Sequence, residues 1–219
     1  MTSDFETRVA EALARHRPRR ETDAGGRAAA VLIPVVAAPE PTLVFTVRTN
    51  DMPSHKGQIS FPGGRLHEGE TAADAALRES EEEVGLERAR VRLLGELDTF
   101  PTYVTGFVVT PFVGWVDGPA RLRPNPAEVA EILEVPLADL VDDIRREPGF
   151  AHGGRTFPTE AWVWNDHVIW GVTARVLRLF LHVLADAGLA ARPGGTPWWD
   201  VDELRRRRGE HGGVPASPA

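Results

Sequence analysis

The 219-residue chain contains no cysteine. That excludes disulfides, a thiol nucleophile and any cysteine-based zinc or iron–sulfur site. It contains one lysine, Lys56, so nearly all positive charge is carried by arginine, as expected from a GC-rich coding sequence. Basic residues are too few to offset the acids, and the formal net charge is -7. A general nucleic-acid binder needs a basic footprint, so that class is excluded. An anionic small-molecule substrate stays open, because a bound cation can invert the local field. No apolar run approaches the roughly 18 residues needed to cross a bilayer, so no membrane partner is expected. The start, "MTSDFETRVAEALARH", has no apolar signal core and carries too many acids for a transit peptide. A cytoplasmic protein is expected, and a homodimer is compatible with the sequence. With 42% apolar residues, the chain can bury one core with extensions.

What is present is a mixed pattern of strands and helices. Residues 3–16 read as a short helix with Phe5, Val9 and Leu13 on one face. Strands are expected at 28–37 and 42–48, then a Gly- and Pro-rich loop over 49–70. A helix over 71–84 ends at Gly85, the usual left-handed cap. "VRLLGELDTF", "GFVVTPFVGWV" and "VAEILEVPL" read as strands, and "ADLVDDIRR" as a short helix. "TEAWVW" and "HVIW" form a hairpin turning at "NDH", followed by a helix over 171–189. Residues 1–27 make an N-terminal helix and loop, 28–190 the main domain, and 191–219 a mobile tail. This alternation predicts an α/β layered domain.

The unusual stretch is "RESEEE", residues 78–83, where four carboxylates crowd into five positions. Glu79, Glu82 and Glu83 lie three and four residues apart, on one helix face, while Glu81 points elsewhere. Like charges at this spacing repel by a few tenths of a kcal/mol per pair on a bare helix. A solvated helix surface would accept that cost. The alternative is a divalent cation held by hard oxygen ligands.

The surrounding stretch decides between the two. "GRLHEGETAADAALRESEEEVGL", residues 64–86, resembles the Nudix box, G-x5-E-x7-R-E-U-x-E-E-x-G-U with U aliphatic. Gly64, Glu70, Arg78, Glu79, Glu82, Glu83, Gly85 and Leu86 match, and Ser80 stands at one aliphatic position. The resemblance implies a Nudix-type α/β/α sandwich with a mixed sheet. It also implies Mg²⁺ or Mn²⁺ as cofactor. Glu82, Glu83 and the Gly64 carbonyl become metal ligands. Glu79 becomes a ligand or the base that activates water. Glu70 and Arg78 become a brace for the loop and helix. The family often adds a carboxylate from a later loop, where "NPAEVAEILEVPL" offers Glu128 and Glu131, with Glu128 preferred as the second catalytic carboxylate.

The substrate is addressed by a second stretch. "FTVRTNDMPSHKGQISFPGG", residues 45–64, resembles the second signature of the coenzyme A pyrophosphatase subfamily, L-L-T-x-R-S-x3-R-x3-G-x3-F-P-G-G. Thr46, Arg48, Gly57, Phe61, Pro62, Gly63 and Gly64 match, whereas Pro53 replaces the second arginine. The resemblance implies Arg48, His55, Lys56, Gly57, Phe61 and Gly63 as substrate-binding residues. The implied reaction is hydrolysis of coenzyme A to 3',5'-ADP and 4'-phosphopantetheine. The alternatives are the same chemistry on ADP-ribose, NADH or another nucleoside diphosphate derivative, or a non-catalytic nucleotide sensor. A sensor would have lost box carboxylates, and this chain keeps them.

Overall fold

A computed structural model describes residues 4–20, 26–37, 40–49, 58–102, 106–140, 144–152, 155–165 and 167–193. Helix α1 (Asp4–Arg15) precedes strands β1 (Arg27–Val36), β2 (Thr42–Arg48), β3 (Ile59–Ser60) and β4 (Gly63–Arg65). Helix α2 (Ala72–Val84) is followed by β5 (Val91–Glu96), β6 (Phe100–Pro101), β7 (Phe107–Val116) and β8 (Val129–Pro136). The chain ends with β9 (Ile144–His152), β10 (Arg155–Trp164), β11 (His167–Trp170) and α3 (Gly171–Asp186).

Eight strands form one mixed sheet, with the path β3-β2-β1-β7-β5 and β4 on β1, β6 on β7 and β8 on β2. β1 and β7 run parallel; β1 and β2 run antiparallel. Alternation along β1 assigns the two faces. Leu32 and Val36 turn toward α2, where they meet Ala76, Leu77, Val84 and Leu86. Ile33 and Val35 turn the other way, into a larger core with Phe45, Trp115, Leu13 of α1 and Phe180 of α3. The sheet is therefore a filling between helices, the α/β/α sandwich expected. Helix α1 shares that core, with Val9 and Leu13 at 0% and 4% exposure, so it is an integral layer and not an appendage.

Three expectations are corrected. "ADLVDDIRR" is not a helix: Leu137–Leu140 makes a single 3-10 turn, and Ile144 already opens β9. Leu137 donates its N–H to the Pro41 carbonyl at 2.8 Å, and Ile144 pairs with Trp162, so tertiary pairing overrides a weak local helical pattern. The expected loop over 49–70 contains β3 and β4, too short to show alternation. "VRLLGELDTF" divides into β5 and β6. The hairpin at "NDH" is present, with Asn165 at φ 51°. His55, Lys56, Gly57 and the expected mobile tail from 194 onward lie outside the described residues.

Candidate active site

Helix α2 is fixed at both ends by its own sequence. The Thr71 hydroxyl accepts from the Asp74 N–H at 3.1 Å, capping the first turn. Gly85 takes the left-handed conformation at φ 67°, and its N–H reaches the Glu81 carbonyl at 3.0 Å. Ser80, the one departure from the box pattern, is wholly buried and donates back to the Ala76 carbonyl at 2.7 Å. Its hydroxyl is satisfied inside the helix, so the polar residue fits a core position.

This places the carboxylates in three different settings. Glu83 faces inward at 3% exposure. One oxygen accepts the Gly63 N–H at 3.1 Å, and the other faces the Arg48 guanidinium at 3.8 Å. Burial outweighs both and pushes the carboxyl up to about 7. Glu79 is half-buried, and burial raises it too, against the Arg78 hydrogen bond that lowers it. Glu82 is exposed and leans on Arg78 at 3.2 Å.

Arg78 is the hub of the loop–helix unit. Its Nε and Nη2 grip both oxygens of Glu70, at 2.8 and 3.0 Å, in a bidentate pair. It also donates to the Arg65 carbonyl at 3.0 Å and to Glu79 at 2.9 Å. Glu70 additionally accepts the His67 N–H, and the guanidinium holds its carboxyl down at about 2. Glu70 and Arg78 are thus paired between the loop and the helix.

The two glycines have packing reasons of their own. A Cβ on Gly63 would lie 2.3 Å from the Ala30 carbonyl on β1. A Cβ on Gly64 would lie 2.4 Å from the Glu79 carboxyl carbon. Gly64 therefore forms a cradle into which the Glu79 carboxylate fits, and no larger residue could replace it without moving the acid.

Glu128 joins this group from across the chain. Its carboxylate is close enough to repel both Glu79 and Glu83. Among the described residues it makes no ion pair. Glu131 goes elsewhere, to His167 at 3.9 Å. The residue that positions Glu128 is Asn125, which the sequence reading missed. Asn125 donates its N–H to the Glu83 carbonyl at 2.9 Å and accepts from the Glu128 and Val129 N–H groups at 3.0 and 2.8 Å. Its side chain caps the Ala127 N–H at 3.1 Å. The available signal was the Asn-Pro pair, a turn former, in "RPNPAE". Thr49 adds a second tie, from its N–H to the Glu128 carbonyl at 3.0 Å.

Phe61 requires a correction as a substrate contact. It is buried at 2% and stacks on Phe45 with ring centroids 4.5 Å apart, so it belongs to the core. Arg48 stays at the site, at the end of β2 beside Glu83. Trp162 is core at 1%, its indole N–H bound to the Leu140 carbonyl.

Glu79, Glu83 and Glu128 thus gather hard oxygens, with Arg78 on Glu79 and Arg48 facing Glu83. Among the described residues no three acidic or imidazole groups enclose a common point as they stand, since Arg78 holds Glu79 and Glu82. The donor chemistry still fits a hard divalent cation, as do the crowded, raised carboxyls and the cradle at Gly64.

The family model described as the NUDIX domain matches residues 26–157. The chain belongs to the Nudix family. It is 38% identical over 168 residues to the uncharacterized Nudix hydrolase NudL of Photorhabdus laumondii, covering 73% of this chain and 86% of that protein. It is 35% identical over 162 residues to the NudL protein of Pectobacterium atrosepticum, covering 73% and 84%. Among solved structures it resembles a C. elegans Ap4A hydrolase binary complex at 17% identity and TM-score 0.44, covering 52% of this chain and 82% of that one. Nudix proteins of this kind are hydrolases of phosphorus-containing anhydrides and use divalent metals. Among the described residues no helix is long and apolar enough to cross a membrane.

Proposed function

We propose that this Nudix hydrolase cleaves the pyrophosphate of coenzyme A or its close derivatives, yielding 3',5'-ADP and 4'-phosphopantetheine. The observation that carries the hydrolytic reading is the group of under-neutralised carboxylates Glu79, Glu83 and Glu128 beside the Gly63–Gly64 strand. Glu79, Glu82, Glu83 and the Gly64 carbonyl would hold Mg²⁺ or Mn²⁺. When bound, the cation neutralises pyrophosphate oxygens and lowers the pKa of a coordinated water.

The chain's own groups supply the rest. Among the described residues no guanidinium pairs with Glu128, which takes the proton of the attacking water; Glu79, already bound by Arg78, is the alternative base. Arg48, half-buried at the strand end, orients a substrate phosphate while facing Glu83. His55, Lys56 and Gly57 belong to the same proposed substrate segment. Arg78 and Glu70 hold the Gly64 strand against α2 and touch no reacting atom. Support for coenzyme A itself comes from the residue 45–64 signature. The replacement at Pro53 favours a second reading, in which the same chemistry acts on ADP-ribose, NADH or another nucleoside diphosphate derivative.

A substrate panel separates these. Purified chain with Mg²⁺ or Mn²⁺ is given coenzyme A, dephospho-coenzyme A, ADP-ribose, NADH and a diadenosine polyphosphate, with products resolved by chromatography. Preference for coenzyme A over its dephospho form is expected. Cleavage of ADP-ribose or NADH in its place would overturn the coenzyme A assignment and keep the hydrolase. Tight nucleotide binding with no cleavage would overturn both.

A further inference from the structure

Glu128 stands at the end of a long connection: between β7 and β8 the described residues 117–128 hold no helix or strand. A carboxylate on such a segment wanders unless its backbone is held. The sequence around Asn125 supplies the hold. In "RPNP", residues 123–126, the two prolines fix their own φ and lack a backbone N–H. Asn125 therefore carries the only N–H between Arg123 and Ala127, and it donates this to the Glu83 carbonyl at 2.9 Å. Arg123 donates in the same way to the Val84 carbonyl, also at 2.9 Å.

An α-helix leaves its last four carbonyls without partners of its own. On α2, the Gly85 N–H takes the carbonyl of Glu81, and the 117–128 connection takes those of Glu83 and Val84. The segment that carries Glu128 thus closes the end of the helix that carries Glu79, Glu82 and Glu83. Beyond this anchor, the Asn125 side chain builds a turn. Its Oδ1 accepts the Ala127 N–H at 3.1 Å, while its carbonyl accepts from Glu128 at 3.0 Å and from Val129 at 2.8 Å. On the far side, the Thr49 N–H holds the Glu128 carbonyl at 3.0 Å. From the Glu83 peptide to the Glu128 peptide, the hydrogen-bonded route passes through one residue. Removing the side-chain contact leaves the anchor on Glu83 but takes away the bond that fixes the turn.

We infer that Asn125 is a positioning residue whose carboxamide fixes the turn that sets Glu128 against the end of α2, so that turnover depends on it and substrate binding does not. The inference rests on the proposed reading, in which Glu128 takes the proton of the attacking water. Asn125 itself touches no reacting atom.

The test is a double-mutant cycle on the full chain in Mg²⁺, with kcat and KM read on coenzyme A and on ADP-ribose and thermal melts beside them. Glu128→Gln should lower kcat at least about 100-fold. Asn125→Ala should lower it about 10- to 100-fold, with KM within about twofold of wild type. Asn125→Asp keeps an oxygen for the Ala127 N–H and should recover most of that loss. Added to Glu128→Gln, Asn125→Ala should change kcat by less than about twofold, because its effect runs through the missing carboxylate. Pro126→Gly loosens the same turn at an exposed position and should lower kcat in the same direction, and it serves if Asn125→Ala does not fold. Wild-type turnover in Asn125→Ala, a loss confined to KM, no recovery in Asn125→Asp, or losses that multiply in the double variant would each overturn the inference. A loss in Glu128→Gln with none in Asn125→Ala would remove the inference alone and leave Glu128 as the base. Wild-type turnover in Glu128→Gln would overturn the base assignment, and the inference with it. A chain that cleaves neither substrate would overturn both.

Discussion

Two groups of acids, each with one buried carboxylate, sit on opposite faces of the same sheet, and they are treated in opposite ways. Beneath α1, Arg92 donates to Glu6 at 2.8 Å and to Asp117 at 2.8 Å. Asp117 is held at about 2 by that guanidinium, with the Trp115 indole N–H adding to it. Beneath α2, Glu79, Glu83 and Glu128 repel one another, and Glu83 is pushed up to about 7. Both groups include a carboxylate under 5% exposed, Glu6 at 4% and Glu83 at 3%, so burial alone does not distinguish them. Local charge does. In the first group one guanidinium lies against both acids, and it staples a helix to a sheet. Among the described residues the second holds more carboxylates than guanidinium groups, and a cation would fill that deficit.

The contrast breaks first at the carboxylates themselves. Glu82→Gln or Glu83→Gln should lower turnover by at least about 1,000-fold, some 4 kcal/mol of barrier, with unchanged circular dichroism. A variant retaining most of its activity would show that the box carboxylates are not ligands.

The next effect runs against intuition, because removing a buried charge should stabilise. Glu83 has a folded pKa raised from 4.5 to about 7. Its contribution to stability is complete below pH 4.5 and is lost as pH rises through about 7. That shift amounts to about 3 kcal/mol at pH 8. Metal-free Glu83→Gln should therefore unfold several degrees higher than wild type at pH 8, and the gap should close at pH 4. Paired thermal melts at the two pH values check this, because all other titrating groups are common to both proteins. Glu70 and Asp117 have the opposite sign: both are depressed to about 2, and their contribution is lost only as pH falls toward that value.

Smaller still is the brace. Arg78→Lys keeps the charge but cannot grip both oxygens of Glu70, and should lower kcat by about 10- to 100-fold with little change in the melting midpoint. Smallest in activity is Arg92→Gln beneath α1, which should cost about 1 kcal/mol of stability and leave kcat as it was. Steady-state kinetics beside thermal melts sort the two groups: one set of variants loses rate, the other stability.

Much of this was legible because it lies within one helix and its leading loop. The spacing of Glu79, Glu82 and Glu83 follows from 3.6 residues per turn, and the Thr71 and Gly85 caps from their residue types. Strands β1, β2, β7 and β8 were legible from long apolar or alternating runs. What sequence alone could not supply was contact across the chain. The burial of Glu83 depends on β4 crossing above it, and β4 is three residues long. Asn125 acts through a carbonyl 42 positions away, by difference of numbering from Glu83. Phe61 reads equally well as a pocket wall or as core, and only its stacking on Phe45 decides. The 144–146 stretch became strand because β10 supplied a partner, which no local pattern announces.

The most direct test is to titrate Mg²⁺ into wild type and Glu83→Gln at pH 8 while following the melting midpoint and coenzyme A hydrolysis together. Wild type should rise in stability with Mg²⁺ and gain activity over the same concentration range, while Glu83→Gln starts higher, stays flat and remains inactive. An equal rise in both proteins, or hydrolysis by wild type that is indifferent to Mg²⁺ and to its removal by chelation, would contradict the claim that this carboxylate cluster is the cation site.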